Sequence, residues 1–248
     1  MFKNLFNFEK LWDTVKSNGL FLLQFVGIIA GIILLAYLLE LVIRKKNNVK
    51  EKVLTTRKIA VIGIMSAIGA VLMLFEIPLW FAPGFYKLDF SELPILLCAF
   101  AYGPVAGVVA EAVKILVNLV LDGTGTAFVG ELANFVVGSI FVLSATSVYH
   151  IKKNKKMAIV GCVVGVIVLT VAGSAMNGFY MIPKFAEMFM PMEAIIGMGA
   201  EKNANVNSVW TLVFFCVVPF NLLKGTLVSA ITILLYRPLR PVLKKTIE

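Results

Sequence analysis

The chain has 248 residues, of which 60% are hydrophobic and 15% are charged, and its mean hydropathy is +0.93. A soluble globular domain is nearer half apolar and a quarter charged, so these values exclude a single soluble core. The formal net charge of +9 does not indicate a nucleic-acid partner, because the basic residues cluster in short segments beside apolar stretches. We therefore expect an all-α membrane protein in contact with lipid.

Apolar stretches long enough to cross a bilayer recur along the chain. A helix that crosses roughly 30 Å of hydrocarbon needs about 20 mostly apolar residues. The sequence lacks the alternating ten-residue pattern of barrel strands, so helices must satisfy the backbone in lipid. The stretches are Gly19–Ile43, Ile59–Phe75, Pro94–Leu121, Val129–Tyr149, Met157–Met176 and Val209–Tyr236.

The first stretch predicts an extra N-terminal transmembrane helix over 19–43. Its apolar run of about 25 residues exceeds the roughly 7–15 of a signal peptide, and no small-residue cleavage site follows it. We interpret residues 1–56 as this helix with a basic cytoplasmic linker. Residues 57–248 then form the substrate-binding membrane domain.

Basic side chains predict the orientation of the chain. Segment 44–58 carries seven Lys or Arg residues, segment 150–156 carries four, and the C-terminal tail from 237 to 245 carries four. The positive-inside rule places all three segments in the cytoplasm, so an even number of crossings must separate any two. Only three apolar stretches separate the first two segments, so we divide 92–121 at Pro104, which disfavours helix at the preceding residue.

The prediction is therefore a bundle of six core helices plus the N-terminal one, with the N-terminus outside and the C-terminus in the cytoplasm. The segment 188–207 is long for a simple connection, which favours a lid or a short interfacial helix. The core helices are predicted at 57–80, 92–102, 104–121, 128–149, 157–182 and 208–236.

Lys224 is the sharpest functional signal. A charged group inside a bilayer costs about 2.5–3.5 kcal/mol, and such residues commonly mark ligand or ion sites. Asn221 lies three residues earlier, so both side chains share one helical face. A structural ion pair of Lys224 with Glu111 or Glu131 is the alternative.

Other polar and aromatic residues are predicted at the same, outer side. Asn177 ends one helix, Asn134 lies in the outer half of another, and the glycine-containing loop 122–127 permits close backbone approach. Aromatic residues in 81–90 are suited to cover a flat ring. Amides and one cation favour a neutral heteroaromatic ligand. A flavin is such a ligand, but these residues alone do not distinguish it from others.

Four motifs resemble the substrate-capture (S) subunit of an energy-coupling-factor (ECF) vitamin transporter of the riboflavin-binding type. The resemblance covers 57–245 and lies in the order of the motifs along the chain. They are Lys87-Leu88-Asp89-Phe90-Ser91-Glu92-Leu93-Pro94, Ala101-Tyr102-Gly103-Pro104-Val105-Ala106-Gly107, Gly130-Glu131-Leu132-Ala133-Asn134-Phe135 and Pro219-Phe220-Asn221-Leu222-Leu223-Lys224-Gly225.

The resemblance implies riboflavin as the transported ligand and no cofactor. It implies a transmembrane coupling subunit and two cytoplasmic ATPases as partners, and this chain carries no G-x-x-x-x-G-K-[ST] phosphate loop of its own. It also implies small residues of the first core helix at the partner interface, here the pairs Gly63/Ala67 and Ser66/Ala70. The implied substrate-binding residues are Leu88, Asp89, Thr124, Gly125, Asn177, Asn221 and Lys224.

Three alternatives remain open at this point. The chain is an S subunit for another vitamin such as thiamine or biotin, an intramembrane enzyme, or a structural membrane protein. An enzyme is disfavoured because His150 is the only histidine and lies at a helix end. The three cysteines fall inside apolar stretches without metal or redox spacing, so we expect no metal site.

Overall fold

A computed structural model describes residues 15–245 and shows a bundle of apolar helices. Six helical segments within these residues are long and apolar enough to cross a membrane, and one shorter apolar helix packs among them. The ends of the two predicted regions, residues 1–14 and 246–248, lie outside the described residues.

The helices and strands are numbered here in chain order. Turns with i to i+5 hydrogen bonding at Asn177–Met181 and Val213–Val217 join α6 to α7 and α9 to α10. The strands β1 (Ile77–Pro78) and β2 (Lys87–Leu88) pair antiparallel. The helices are α1 (Gly19–Lys46), α2 (Thr56–Met73), α3 (Glu92–Tyr102), α4 (Pro104–Asp122), α5 (Val129–His150), α6 (Lys155–Met176), α7 (Ile182–Met188), α8 (Met192–Ala200), α9 (Val209–Leu212) and α10 (Val218–Lys245).

The break between α3 and α4 lies where it is predicted. Gly103 has a φ of 116°, a conformation that side chains with a Cβ rarely adopt, and Pro104 occupies the first turn of α4. The short α3 is too brief to cross a bilayer alone, but nearly all of its side chains are buried against neighbouring helices. The irregular backbone at Gly103 is thereby covered by protein.

Two helix ends differ from the predicted bounds. α2 ends at Met73 rather than near residue 80, because the chain turns into β1 and Pro78 cannot continue a helix. The helix predicted to end at 182 continues through the wide turn to Met188. The segment 188–207 contains α8, which agrees with the short helix expected there.

The N-terminal helix α1 packs against α4 and α5. Glu40 is buried at this contact, and its Oε2 accepts a hydrogen bond of 3.0 Å from the backbone N–H of Val105. α4 has no side-chain cap of its own, so this carboxylate satisfies a free N–H at the positive end of the helix dipole. A Cβ at Gly103 would lie 2.7 Å from the same Oε2, so the docked helix also requires glycine there.

Replacing Glu40 with Ala leaves the buried N–H of Val105 without an acceptor. We expect a loss of about 1–3 kcal/mol in the free energy of unfolding, measured as a lower midpoint of thermal unfolding in detergent. Glu51→Ala is the matched control, because Glu51 is exposed in the loop that follows α1. Equal midpoints for the two variants would contradict the role of Glu40 as a cap for α4.

Candidate ligand-binding site

A cavity of about 230 Å³ lies between α5, α6 and α10, at the end of the bundle opposite the basic segments. Residues 76–89, which include the two short strands, and residues 185–195 cover it. Its polar wall residues are Glu76, Lys87, Asp89, Glu92, Thr126, Asn134, Asn177, Asn221 and Lys224.

Lys224 projects from α10 into a cluster of carboxylates. Its Nζ donates to Asp89 Oδ2 at 2.9 Å and lies 3.1 Å from Glu92 Oε2. Its side chain keeps 13% of its surface exposed, and it lines the cavity. The structure therefore agrees with the prediction that Lys224 faces a cavity. Lys224 also forms ion pairs, but its partners are Asp89 and Glu92 rather than the Glu111 or Glu131 named in the alternative prediction.

Asp89 connects the covering segment to the helical wall. Its Oδ1 accepts from the backbone N–H of Ser91 at 2.8 Å, which fixes the chain just before α3, while its Oδ2 accepts from Lys224. Burial alone would raise the pKa of Asp89, but the Lys224 and Lys114 ammonium groups outweigh it and hold the pKa below its usual value. Asp89 is therefore a carboxylate that acts as an acceptor.

The charges continue behind the cavity into α4. Glu92 Oε1 lies 3.4 Å from Lys114 Nζ, and Lys114 lies 2.6 Å from Glu111 Oε1. The chain of contacts runs from Asp89 through Lys224, Glu92 and Lys114 to Glu111, with three carboxylates and two ammonium groups. We call these five residues the charge network.

Two asparagine amides, one from each of two neighbouring helices, line the cavity. Asn177 is fully engaged, because its Nδ2 donates to the carbonyl of Gly173 at 2.8 Å and its Oδ1 accepts from the Tyr86 hydroxyl at 2.7 Å. Asn221 is buried, and its Nδ2 has no hydrogen-bond partner among the described residues. Gly173 leaves room for this amide, since a Cβ there would lie 3.0 Å from Asn221 Nδ2.

Aromatic rings form the cover and part of the floor. The rings of Tyr86 and Phe220 lie 5.5 Å apart, and Phe85 stacks on Phe185 at 6.2 Å with an interplanar angle of 24°. Burial raises the pKa of Tyr86, so its hydroxyl stays a neutral donor toward Asn177. Phe141 lies deeper in the wall. Such faces suit a flat apolar ring system.

The structure brings together four of the seven predicted substrate-binding residues: Asp89, Asn177, Asn221 and Lys224 all line the cavity. The other three are outside its wall. Leu88 is buried on the opposite side of β2 from the exposed Lys87, because side chains alternate along a strand. The Thr124 hydroxyl accepts from the backbone N–H of Phe128 at 2.9 Å, and Gly125 belongs to the same turn.

The four small residues predicted at the partner interface lie on two different faces of α2. Ser66 and Ala70 are buried, and the Ser66 hydroxyl donates to the carbonyl of Ala110 in α4 at 2.9 Å. This pair is a contact within the bundle, so the prediction of a partner surface there is corrected. Gly63 and Ala67 are exposed and stay available to a partner.

The sequence prediction missed Glu92 and Lys114 as parts of the site or its support, and it included Tyr86 only among the aromatic residues that cover the ring. Lys114 and Glu111 are three residues apart in an apolar helix, a spacing that places opposite charges side by side. That spacing was the available signal for a buried charge cluster. No comparable local signal predicts the hydrogen bond of Tyr86 to Asn177, because the two residues are 91 positions apart.

A membrane-embedded helix bundle with a polar and aromatic cavity defines a solute-binding membrane protein. The profile of the family described as "ECF transporter, substrate-specific component" matches residues 57–236, and the chain belongs to this family. The match begins where the structure begins α2, so α1 precedes the matched region.

Individual relatives agree with the family assignment. The chain is 33% identical over 202 residues to the riboflavin transporter RibU of Staphylococcus aureus strain TCH60, covering 82% of this chain and 98% of that protein. It is 27% identical over 186 residues to the riboflavin transporter FmnP of Bacillus subtilis strain 168, covering 75% and 93%.

A solved structure agrees as well. The chain matches a structure described as the S component of a bacterial ECF transporter with a TM-score of 0.61 and 35% sequence identity, covering 75% of this chain and 97% of that one.

Proposed function

We propose that this chain binds riboflavin in the cavity and serves as the substrate-specific subunit for riboflavin uptake. The S. aureus and B. subtilis relatives are named as riboflavin transporters, and the alignments cover almost the whole length of each. The chain itself is expected to bind its ligand without catalysing a reaction and without a cofactor. Riboflavin is then the transported ligand.

The observation that carries the proposal is the unpartnered amide of Asn221. A buried donor without an acceptor costs free energy, which a ligand oxygen or ring nitrogen in the cavity would recover. Lys224 lies one turn further along the same helix face and retains exposed surface toward the cavity. Two donors at this spacing are suited to the carbonyl and nitrogen edge of an isoalloxazine ring.

The remaining walls suit the faces of the same ring. Tyr86, Phe220 and Phe141 present aromatic surface, and the methionines Met181 and Met190 add adaptable apolar contacts. The cavity volume of about 230 Å³ is slightly below the roughly 300–1,000 Å³ common for ligand pockets. Release of Tyr86 from Asn177 enlarges the cavity and frees the Asn177 oxygen for the ligand.

Asn221→Leu keeps the side-chain size and removes the donor. We expect purified protein to quench riboflavin fluorescence on binding and the variant to bind about 10–100 times more weakly, because a polar edge of the ring loses its partner in a buried site. Flavin fluorescence is the better reporter, since Trp80 is 84% exposed and lies outside the cavity wall.

Asn205→Leu is the control for that titration, because Asn205 is exposed between α8 and α9. It should bind riboflavin as the unchanged protein does. Parallel titrations with thiamine and biotin test the other vitamins. Tighter binding of either one would refute the riboflavin assignment, and equal riboflavin binding by the two Asn variants would refute the role of Asn221.

We propose that the exposed face of α2 around Gly63 and Ala67 docks on a transmembrane coupling subunit, which acts with two cytoplasmic ATPases. Family membership supports partners of this kind. Small exposed residues four apart permit close approach of another helix, and Ile64 and Ile68 beside them are also exposed.

A bulky side chain on this face should block docking while leaving ligand binding intact. We expect Ala67→Trp to bind riboflavin normally when purified but to lower riboflavin uptake strongly in cells that carry the other subunits. Ile167→Trp, on the exposed face of α6, is the control. Normal uptake by Ala67→Trp would place the partner elsewhere.

The chain is proposed to lie in the plasma membrane with the N-terminus outside and the C-terminus in the cytoplasm. Two contacts support the placement of the basic segments on one side of the membrane. Near the end of α1, Glu40 contacts the start of α4, and Asn47 Nδ2 donates to the carbonyl of His150 at 2.8 Å. The positive-inside rule assigns that side to the cytoplasm. The cavity then opens toward the exterior.

Single cysteines report the orientation directly. In intact cells we expect Lys202→Cys to react with a membrane-impermeant maleimide, and Lys152→Cys to react only after permeabilisation. Background labelling should be low, because Cys98, Cys162 and Cys216 are buried. The reverse labelling pattern would invert the proposed topology.

A further inference from the structure

Lys114 is a fully buried lysine that does not line the cavity. It projects from the middle of α4, and its Nζ donates to the Ser91 hydroxyl at 3.1 Å. The same ammonium group lies 2.6 Å from Glu111 and 3.4 Å from Glu92. A lysine without any exposed surface inside a membrane bundle is costly, so its retention needs a reason beyond packing.

The neighbouring helices leave space for this pair of charges. A Cβ at Gly69 in α2 would lie 3.2 Å from both Cγ and Cδ of Lys114. A Cβ at Gly138 in α5 would collide with the carboxylate of Glu111. Glycines on both sides of α4 therefore accommodate the long lysine stem and the carboxylate, which indicates a built arrangement.

Glu92 links the buried lysine to the cavity. One of its oxygens faces Lys114 at 3.4 Å and the other faces Lys224 at 3.1 Å. Ser91 strengthens the link, since its hydroxyl accepts from Lys114 and donates to Glu92 Oε2 at 3.2 Å. The position of Glu92, and with it the position of the Lys224 ammonium, thus depends on a cation behind the cavity wall.

We propose that Lys114 is a positioning residue for ligand binding: it neutralises Glu92 and Glu111 from behind, so that Lys224, which contacts Glu92, remains at the cavity surface instead of being drawn deeper toward Glu111. This inference rests on the proposed function, because its effect is expressed as riboflavin affinity. Without Lys114, three carboxylates share the single ammonium group of Lys224. Lys224 would then shift deeper, toward Glu111, and away from the ligand.

The test compares Lys114→Met with the double variant Lys114→Met/Glu111→Gln. We expect the single variant to bind riboflavin about 10–100 times more weakly and to unfold at a lower temperature without ligand. The double variant removes one carboxylate charge at nearly constant shape. It should recover most of the affinity and most of the unfolding temperature.

Two controls separate positioning from a general loss of stability. Val142→Ala destabilises the core by opening a small cavity at a buried residue outside the cavity wall and should leave riboflavin affinity within about twofold. Lys152→Met removes an exposed lysine and should change neither measurement. If Lys114→Met cannot be purified, recovery of a folded, riboflavin-binding double variant still supports the proposal, and failure of that variant to fold overturns it.

The outcomes separate this proposal from the proposed function. Absence of riboflavin binding by the unchanged protein refutes the function, while the unfolding temperatures still test the charge relation of Lys114 to Glu111. Unchanged affinity in Lys114→Met overturns the positioning role. A loss of affinity that persists in the double variant also overturns it. That result would indicate that Lys114 only fills space, because such a role does not depend on the charge of residue 111.

Discussion

The charge network is the constraint on which the rest of the site depends. Buried charges are tolerated only when partners replace the water they lose, and here three carboxylates and two ammonium groups replace it for one another. The network joins the segment before α3, the first residue of α3, the helix α4 and the helix α10. Loss of either lysine leaves three carboxylates with a single ammonium group, so the network holds these segments in one register and holds Lys224 at the cavity.

Irregular helix geometry supplies the other half of the site. The wide turns at Asn177–Met181 and Val213–Val217 lie in neighbouring helices and contact each other. Turns of this type are frequent at functional sites, because they shift the side chains that follow relative to a regular helix. Gly178 permits the close approach, since a Cβ there would lie 2.7 Å from the ring of Trp210. Asn177 begins the first turn and thereby faces Tyr86 in the cover.

Sequence reasoning reached the features that depend on local rules. The requirement for an even number of crossings between the basic segments, together with Pro104, located the break at Gly103. The three-residue spacing of Asn221 and Lys224 predicted that both lie in one wall. It failed where the partner is distant in sequence: Lys224 meets Asp89 across 135 residues, and no local pattern distinguishes that carboxylate from Glu111 or Glu131. Thr124 lies outside the cavity wall, where its hydroxyl accepts from a nearby backbone N–H group of its own turn.

The N-terminal helix is compatible with a partner that docks on α2. α1 packs on α4 and α5, and its carboxylate Glu40 completes the start of α4. The exposed residues Gly63 and Ala67 lie on another face of the bundle, so α1 leaves them free. Because α4 also carries Lys114, the same helix is fixed at one end by Glu40 and at its middle by the charge network. A helix held at both points supports the cavity wall from behind.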